Sequence, residues 1–100
     1  MKLFIDSSDN RQTIVILDGL KIVEKYDNPR EQRLLELIEK AIKQKRAKMQ
    51  DMTAIKVNLG PGSFTGLRVG CAVVNTLAWL LKIPINGKKV GERVEPVYED

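Results

Sequence analysis

One segment constrains the fold of this chain more than any other. It is residues 60–70, with the sequence Gly-Pro-Gly-Ser-Phe-Thr-Gly-Leu-Arg-Val-Gly. The residues before it, 53–59, largely alternate between apolar and polar side chains, which is the period of a β-strand. The apolar run after it, residues 67–81, contains no proline and is long enough for a helix. The sequence therefore predicts a strand–turn–helix corner, with a helix over residues 66–81.

Glycines and hydroxyl residues define the chemistry of this corner. We expect Gly60 and Gly62 to adopt backbone torsions that other residues avoid. Ser63 or Thr65 would cap the helix by accepting a hydrogen bond from a first-turn N–H group. Together with Gly66, they present N–H groups at a helix N-terminus, which is a generic anion site. The glycine spacing matches neither the P-loop nor the dinucleotide-binding fingerprint, and a purely structural turn is the alternative interpretation.

The first 25 residues predict a three-stranded antiparallel meander. Residues 2–6 read as a buried strand, and the β-branched run at 13–17 is typical of a second strand. Asp18-Gly19 is a two-residue hairpin signal that leads into a third strand at 20–25. Asp6 ends the first strand, where its carboxylate can cap the following turn.

A helix is predicted to follow, with Asn28 as N-cap, Pro29 at the first helical position and Glu31 completing a capping box. Its apolar face comprises Leu34, Leu35, Ile38, Ala41 and Ile42. The helix ends in a basic cluster of Lys40, Lys43, Lys45, Arg46 and Lys48. The cluster complements the helix dipole, or alternatively contacts RNA phosphates. It contains no aromatic residue, which argues against stacking on single-stranded bases.

The helix predicted at 66–81 has two different sides. The residues expected to face the core are Leu67, Val69, Gly70, Val73, Val74, Leu77, Leu80 and Leu81. The opposite side carries Arg68, Cys71, Ala72, Asn75 and Trp79. We expect Arg68, Ala72, Asn75 and Trp79 to bind a partner protein, because Trp and Arg are enriched at interfaces and small residues permit close contact. Coverage of this side by residues 86–100 is the alternative.

Composition limits the chemistry that is open to the chain. One hundred residues predict a single domain, 1–100, with a net charge of +4 that permits an anionic partner. The chain contains no histidine and one cysteine, which excludes histidine-dependent triads, a structural zinc site and an internal disulfide. We expect no cofactor and no metal. The sequence shows no signal peptide and no apolar run of ~20 residues, so we expect a cytoplasmic protein.

Two stretches resemble one known family. Residues 60–70 and the start, Leu3-Phe4-Ile5-Asp6-Ser7-Ser8, resemble the signature and opening strand of the TsaB (YeaZ) proteins, which take part in making threonylcarbamoyladenosine in tRNA. The resemblance covers about residues 1–85. It implies one lobe of the two-lobed actin/Hsp70-like (ASKHA) fold, an α/β lobe whose mixed sheet has an antiparallel meander and two main flanking helices. Strand 53–59 would then pair with the first strand and bring Asp6, as a vestigial ligand, close to the corner.

The resemblance also implies a function. It is that of a non-catalytic scaffold subunit in tRNA modification, with a TsaD-like catalytic subunit and a TsaE-like ATPase as partners, indirect contact with tRNA and no membrane. A homodimer formed through the helix at residues 66–81 is an alternative to binding of the TsaD-like subunit. Glu95-Pro96-Val97-Tyr98 resembles the end of family members, so residues 86–100 are interpreted as a compacted C-terminal tail, with a truncated chain as the alternative. The alternatives are a small nucleotide-binding module, using Asp6, Ser63, Thr65 and the 60–66 backbone, or an RNA-binding module using the basic cluster.

Overall fold

A computed structural model describes residues 1–27 and 33–97 and shows a four-stranded mixed sheet with two helices. Strands β1 (Lys2–Asp6), β2 (Gln12–Leu17) and β3 (Leu20–Lys25) form an antiparallel meander. Strand β4 (Ala54–Val57) pairs in parallel with β1, so the strand order is β3-β2-β1-β4. The predicted fold class, meander and parallel pairing are therefore confirmed.

The hairpin between β2 and β3 follows from its two turn residues. Asp18 and Gly19 have φ angles of 44° and 86°, the left-handed torsions that a two-residue hairpin with right-handed twist requires. The Asp18 carboxylate also accepts a hydrogen bond of 2.9 Å from the backbone N–H of Lys2. The turn is thereby tied to the start of β1, the strand that pairs with both β2 and β4.

Helix α1 spans Leu34–Gln44, and Arg33 is its N-cap without a side-chain capping bond. The predicted cap residues Asn28, Pro29 and Glu31 lie outside the described residues. Its buried residues are Leu34, Leu37, Ile38, Ala41 and Ile42. The prediction was wrong for Leu35, which is 47% exposed. Leu37 takes its place because it stands three and four residues from other buried positions, the spacing of one helix side.

Helix α2 spans Phe64–Leu81 and begins two residues before the predicted start. Its buried residues are Gly66, Leu67, Gly70, Cys71, Val74, Leu77 and Ala78. The predicted core side was wrong for Leu80, which is 61% exposed, and for Cys71, which is buried. Val69, Val73 and Leu81 are only half-buried. The helix is rotated so that Gly66 and Gly70 lie against the backbone and side chain of Ser7.

The core lies between one face of the sheet and the two helices. Every second residue of β1 and β2 is buried, including Leu3, Ile5, Val15 and Leu17. Contrary to the sequence expectation, α2 is long and apolar enough to cross a membrane by length and composition, with a mean hydropathy of 1.4. However, 44% of its residues are buried inside the protein, and the core helices of soluble proteins satisfy the same criterion.

The segment after α2 returns to the sheet. Ile85 forms a single parallel bridge with Ile55 of β4. The Ile55 N–H donates to the Pro84 carbonyl at 3.0 Å, and the Asn86 N–H donates to the Ile55 carbonyl at 2.9 Å. Asn86 and Gly87 then turn the chain with positive φ angles of 51° and 73°. This bridge partly covers the outer edge of β4.

Candidate functional site

The corner between β4 and α2 packs on the turn that follows β1. The Ser63 N–H donates to the Ser8 carbonyl at 2.7 Å. Ser63 is the N-cap of α2, as predicted, because its Oγ accepts a hydrogen bond of 3.4 Å from the Gly66 N–H. The fully buried Ser7 hydroxyl donates to the Gly66 carbonyl at 2.8 Å. Sequence reasoning missed this role of Ser7, since a serine after a strand is ordinary turn chemistry.

Two glycines of the corner are required for different reasons. Gly60 has a φ angle of 114°, as predicted. The prediction was wrong for Gly62, because its φ angle is not in the positive region that favours glycine. A Cβ atom on Gly62 would lie 2.5 Å from the Ser8 carbonyl oxygen and 2.7 Å from the Ser8 Cβ. Gly62 is therefore needed for close approach to the β1–β2 turn.

Asp6 lies at the end of β1, beside the corner. Its Oδ1 atom accepts hydrogen bonds from the Ser8 N–H at 3.0 Å, the Ser8 hydroxyl at 2.6 Å and the Asn58 side-chain amide at 3.2 Å. Asn58 in turn accepts from the Gly60 N–H at 3.0 Å. Asp6 is thus close to the corner, as expected, and makes the contacts of a turn-capping carboxylate. Its role as a vestigial ligand stays a prediction.

The anion site predicted at the corner would need free N–H groups. Three of the corner's N–H groups already donate to protein acceptors: those of Gly60, Ser63 and Gly66. Thr65 is exposed in the first turn of α2. Among the described residues, no group of three or more Cys, Asp or Glu side chains is placed to hold a metal ion. These contacts favour the structural interpretation of the corner.

The outer side of α2 carries large apolar side chains. Trp79 is 75% exposed, Leu80 is 61% exposed and Phe64 is 57% exposed. The Arg68 guanidinium lies over the Phe64 ring, 5.3 Å from its centroid, and Ala72 is exposed one turn further along. We call this region the outer α2 surface, defined by Phe64, Arg68, Ala72, Trp79 and Leu80. Sequence reasoning missed Phe64 because the predicted helix began after it.

Asn75, the remaining residue of the predicted interface, contacts the chain itself. Its amide donates to the Val94 carbonyl at 2.9 Å and accepts from the Val94 N–H at 2.9 Å. Val94 is buried, and a groove of about 470 Å³ separates Trp79 from residues 91–93. The tail therefore covers the Asn75 side of α2, while Arg68, Ala72 and Trp79 remain exposed.

Asn75→Ala is expected to release the tail and lower the free energy of unfolding by about 1–2 kcal/mol, because two hydrogen bonds to Val94 are lost. The melting temperature should fall by about 5–15 °C. Thr76→Ala is the matched control, since the Thr76 hydroxyl donates within its own helix, to the Ala72 carbonyl at 2.9 Å. Equal melting temperatures for the two variants would show that the Asn75 bonds do not hold the tail.

Cys71 does not provide a reactive nucleophile. Its side chain is buried in the core. Desolvation by burial raises the pKa of the Cys71 thiol, and the carboxylate of Glu95 raises it further. The thiol therefore stays protonated at neutral pH, and the thiolate is the nucleophilic form.

Comparisons with known proteins lead to proteins of tRNA threonylcarbamoyladenosine synthesis. Residues 25–87 match the model of the family described as TsaD, tRNA N6-adenosine threonylcarbamoyltransferase. The tRNA threonylcarbamoyladenosine biosynthesis protein TsaB of Bacillus subtilis is 38% identical over 61 residues, which are 50% of this chain. The TsaB protein of Buchnera aphidicola is 27% identical over 88 residues, which are 85% of this chain.

A solved structure agrees with the curated TsaB relatives. YeaZ from Pseudomonas aeruginosa superposes with a TM-score of 0.68 and 28% identity over 84% of this chain. This chain belongs to the TsaB (YeaZ) family.

The match to TsaB proteins is partial in length. This chain spans 27% of the Bacillus protein, 42% of the Buchnera protein and 42% of the Pseudomonas YeaZ chain. The family match ends at residue 87, so it includes the corner and α2 but not the tail that binds Asn75. The interpretation of residues 86–100 as a compacted C-terminal tail stays a prediction.

Proposed function

We propose that this chain is a non-catalytic TsaB-like subunit that docks on a TsaD-like protein and supports threonylcarbamoyl transfer to tRNA. Membership of the TsaB family supports a role in tRNA threonylcarbamoyladenosine biosynthesis, the process for which its relatives are named. The proposal includes a cytoplasmic location and a TsaE-like ATPase in the assembly. A homodimer is the alternative occupant of the same surface.

The outer α2 surface is the observation that carries the docking proposal. Three large apolar side chains on one helix, Phe64, Trp79 and Leu80, are more than half exposed. Trp79 and Leu80 are neighbours near the C-terminal end of α2, and exposed apolar patches on a small soluble domain mark interaction sites. Trp and Arg are the residues most often found at interface hot spots, and Trp79 and Arg68 supply both here. The small side chain of Ala72 between them allows a partner helix to approach closely.

The contacts of the polar side chains support a role without catalysis. The Oδ1 atom of Asp6 accepts hydrogen bonds from Ser8 in the β1–β2 turn, and Cys71 is buried. Three N–H groups of the corner donate to acceptors within the protein. A catalytic acid, base or nucleophile needs access to substrate and a suitable pKa. The burial and raised pKa of Cys71 are unfavourable for such a role.

The test is association with the TsaD-like protein of the same organism. We expect sedimentation velocity to show a mixed complex, and threonylcarbamoyladenosine formation on tRNA to depend on adding this chain. Calorimetric titration of the isolated chain with Mg-ATP should give no binding heat. The proposal fails if the two proteins sediment separately, and stoichiometric ATP binding that is lost in Asp6→Ala would favour the nucleotide-binding alternative.

A further inference from the structure

The C-terminal end of α1 concentrates positive charge. Residues 40–48 hold five basic side chains and no acidic one, so the rest of the chain has twelve basic and thirteen acidic residues. All five are exposed: Lys40, Lys43, Lys45, Arg46 and Lys48. The net charge of +4 thus arises from this one surface. We keep the name basic cluster for these five residues.

Helix capping does not explain the cluster. Only Lys43 lies in the last turn of α1. The free carbonyls of that turn already accept backbone hydrogen bonds: Lys45 N–H to Ala41, Arg46 N–H to Lys43, and Ala47 N–H to Ile42. This is the Schellman arrangement, which satisfies the helix end without any cation. The dipole accounts for Lys43, but it leaves the cations beyond the last turn without a structural role.

Arg46 occupies a position that disfavours it. Its φ angle is 52°, the left-handed conformation that glycine adopts at most Schellman helix ends. A side chain there strains the backbone. Lys82 ends α2 in the same conformation with a φ angle of 56°, so the conformation alone does not mark a functional residue. Glycine would end α1 equally well, so what arginine adds at this position is its positive charge.

The cations of the cluster have no acidic partners within the described residues. The ion pair found there joins Arg33 and Glu36 at 3.9 Å, and both are outside the cluster. The first carboxylate after the cluster, that of Asp51, accepts from the backbone N–H of Lys48 at 2.9 Å. Unpaired, exposed cations on one surface are the electrostatic footprint of a polyanion site.

We propose that the basic cluster binds the phosphate backbone of tRNA directly, an inference that rests on the proposed function in tRNA modification. Lys and Arg bind phosphates through charge-assisted hydrogen bonds. Residues 40–48 include no aromatic side chain, and single-strand recognition relies on such platforms. The ligand is therefore the backbone of folded RNA, and the contact positions tRNA without reading its sequence.

The test compares two double variants that remove the same charge. Lys43→Gln with Arg46→Gly changes the cluster, and Lys88→Gln with Lys89→Gln changes two exposed cations elsewhere. An in vitro transcribed tRNA is titrated against the isolated chain and against its complex with the TsaD-like protein, at salt concentrations from about 50 to 200 mM. We expect the cluster variant to bind about tenfold more weakly at low salt and to reduce the salt slope by about two.

The outcomes separate this inference from the proposed function. Equal affinities and salt slopes for the two double variants would overturn the inference, whether or not the TsaD-like protein binds. If the cluster variant no longer binds the TsaD-like protein but the isolated variant binds tRNA as tightly as the wild type, the inference is overturned. The basic cluster would then bind an acidic site on the partner protein. Failure of the wild-type chain to bind the TsaD-like protein would defeat only the proposed function, because the titration of the isolated chain still reports on the cluster.

A single variant gives a second, independent readout. Arg46→Gly should raise the melting temperature, because glycine relieves the strained φ angle, and should also weaken tRNA binding. A purely structural role for Arg46 cannot produce both changes together. If tRNA affinity in this variant equals that of the wild type, Arg46 makes no phosphate contact.

Discussion

Gly66→Ala is expected to lower the free energy of unfolding by about 3 kcal/mol, although alanine is normally the better helix former by about 1 kcal/mol. Gly66 lies in the first turns of α2, where a Cβ atom would collide with the carbonyl oxygen of Ser7. That oxygen belongs to the backbone of the β1–β2 turn and cannot rotate away. A movement of α2 away from Ser7 to make room for the Cβ atom would stretch the buried hydrogen bond from the Ser7 hydroxyl to the Gly66 carbonyl.

Thermal unfolding followed by circular dichroism checks this prediction. A loss of about 3 kcal/mol should lower the melting temperature of a domain of this size by about 12–24 °C. Gly87→Ala is the control, because a Cβ atom added to Gly87 would meet no other atom within 4 Å, and only its positive φ angle of 73° is strained. If Gly66→Ala melts at or above the wild-type temperature, helix propensity outweighs the close approach to Ser7.

Sequence reasoning succeeded for the fold where the signals are local. Asp18-Gly19 requires left-handed torsions that only a few residues accept, so the hairpin follows from two neighbouring residues. Ser63 caps α2 through an N–H group three residues away. In both cases the residues that determine the conformation are close in sequence, and tertiary contacts do not override them.

The rotation of α2 could not be predicted in the same way. Apolar residues occur almost all round this helix, so periodicity does not single out one side. The contact of Gly66 and Gly70 with Ser7 sets the rotation, because only that side allows the helix backbone to approach the sheet. This contact joins residues about sixty positions apart, and it moves Cys71 into the core and Leu80 to the surface.

The tail contact was also beyond a prediction from local patterns. Asn75 is predicted to face a partner because it lies on the same side of the helix as Arg68, Ala72 and Trp79. Both polar atoms of its amide instead form hydrogen bonds with the backbone N–H and carbonyl of Val94, as a neighbouring β-strand would. A single side chain that bonds a distant backbone leaves no periodicity in the sequence. The candidate interface therefore loses Asn75 and gains the exposed ring of Phe64 at the N-terminal end of α2.

Ala72→Arg is expected to weaken association with the TsaD-like protein by about 100-fold while leaving this chain folded. A bulky, charged side chain at the centre of the outer α2 surface holds a partner helix away, and overpacking of an interface costs about 1–3 kcal/mol. Burial of an unpaired guanidinium adds to that cost. Ala72 is exposed and packs on nothing in the core, so the circular dichroism spectrum should not change.

Sedimentation velocity with the TsaD-like protein measures the loss, and light scattering of the chain alone tests the homodimer. Gln50→Arg is the matched control, because it adds the same charge at an exposed position outside α2. Trp79→Ala should weaken association as well, by about 2 kcal/mol or roughly 30-fold, since an exposed Trp is a typical anchor. A folded Ala72→Arg variant that associates as tightly as Gln50→Arg would remove the outer α2 surface from consideration. The partner would then have to dock elsewhere, with Phe64 and Trp79 left exposed in the complex.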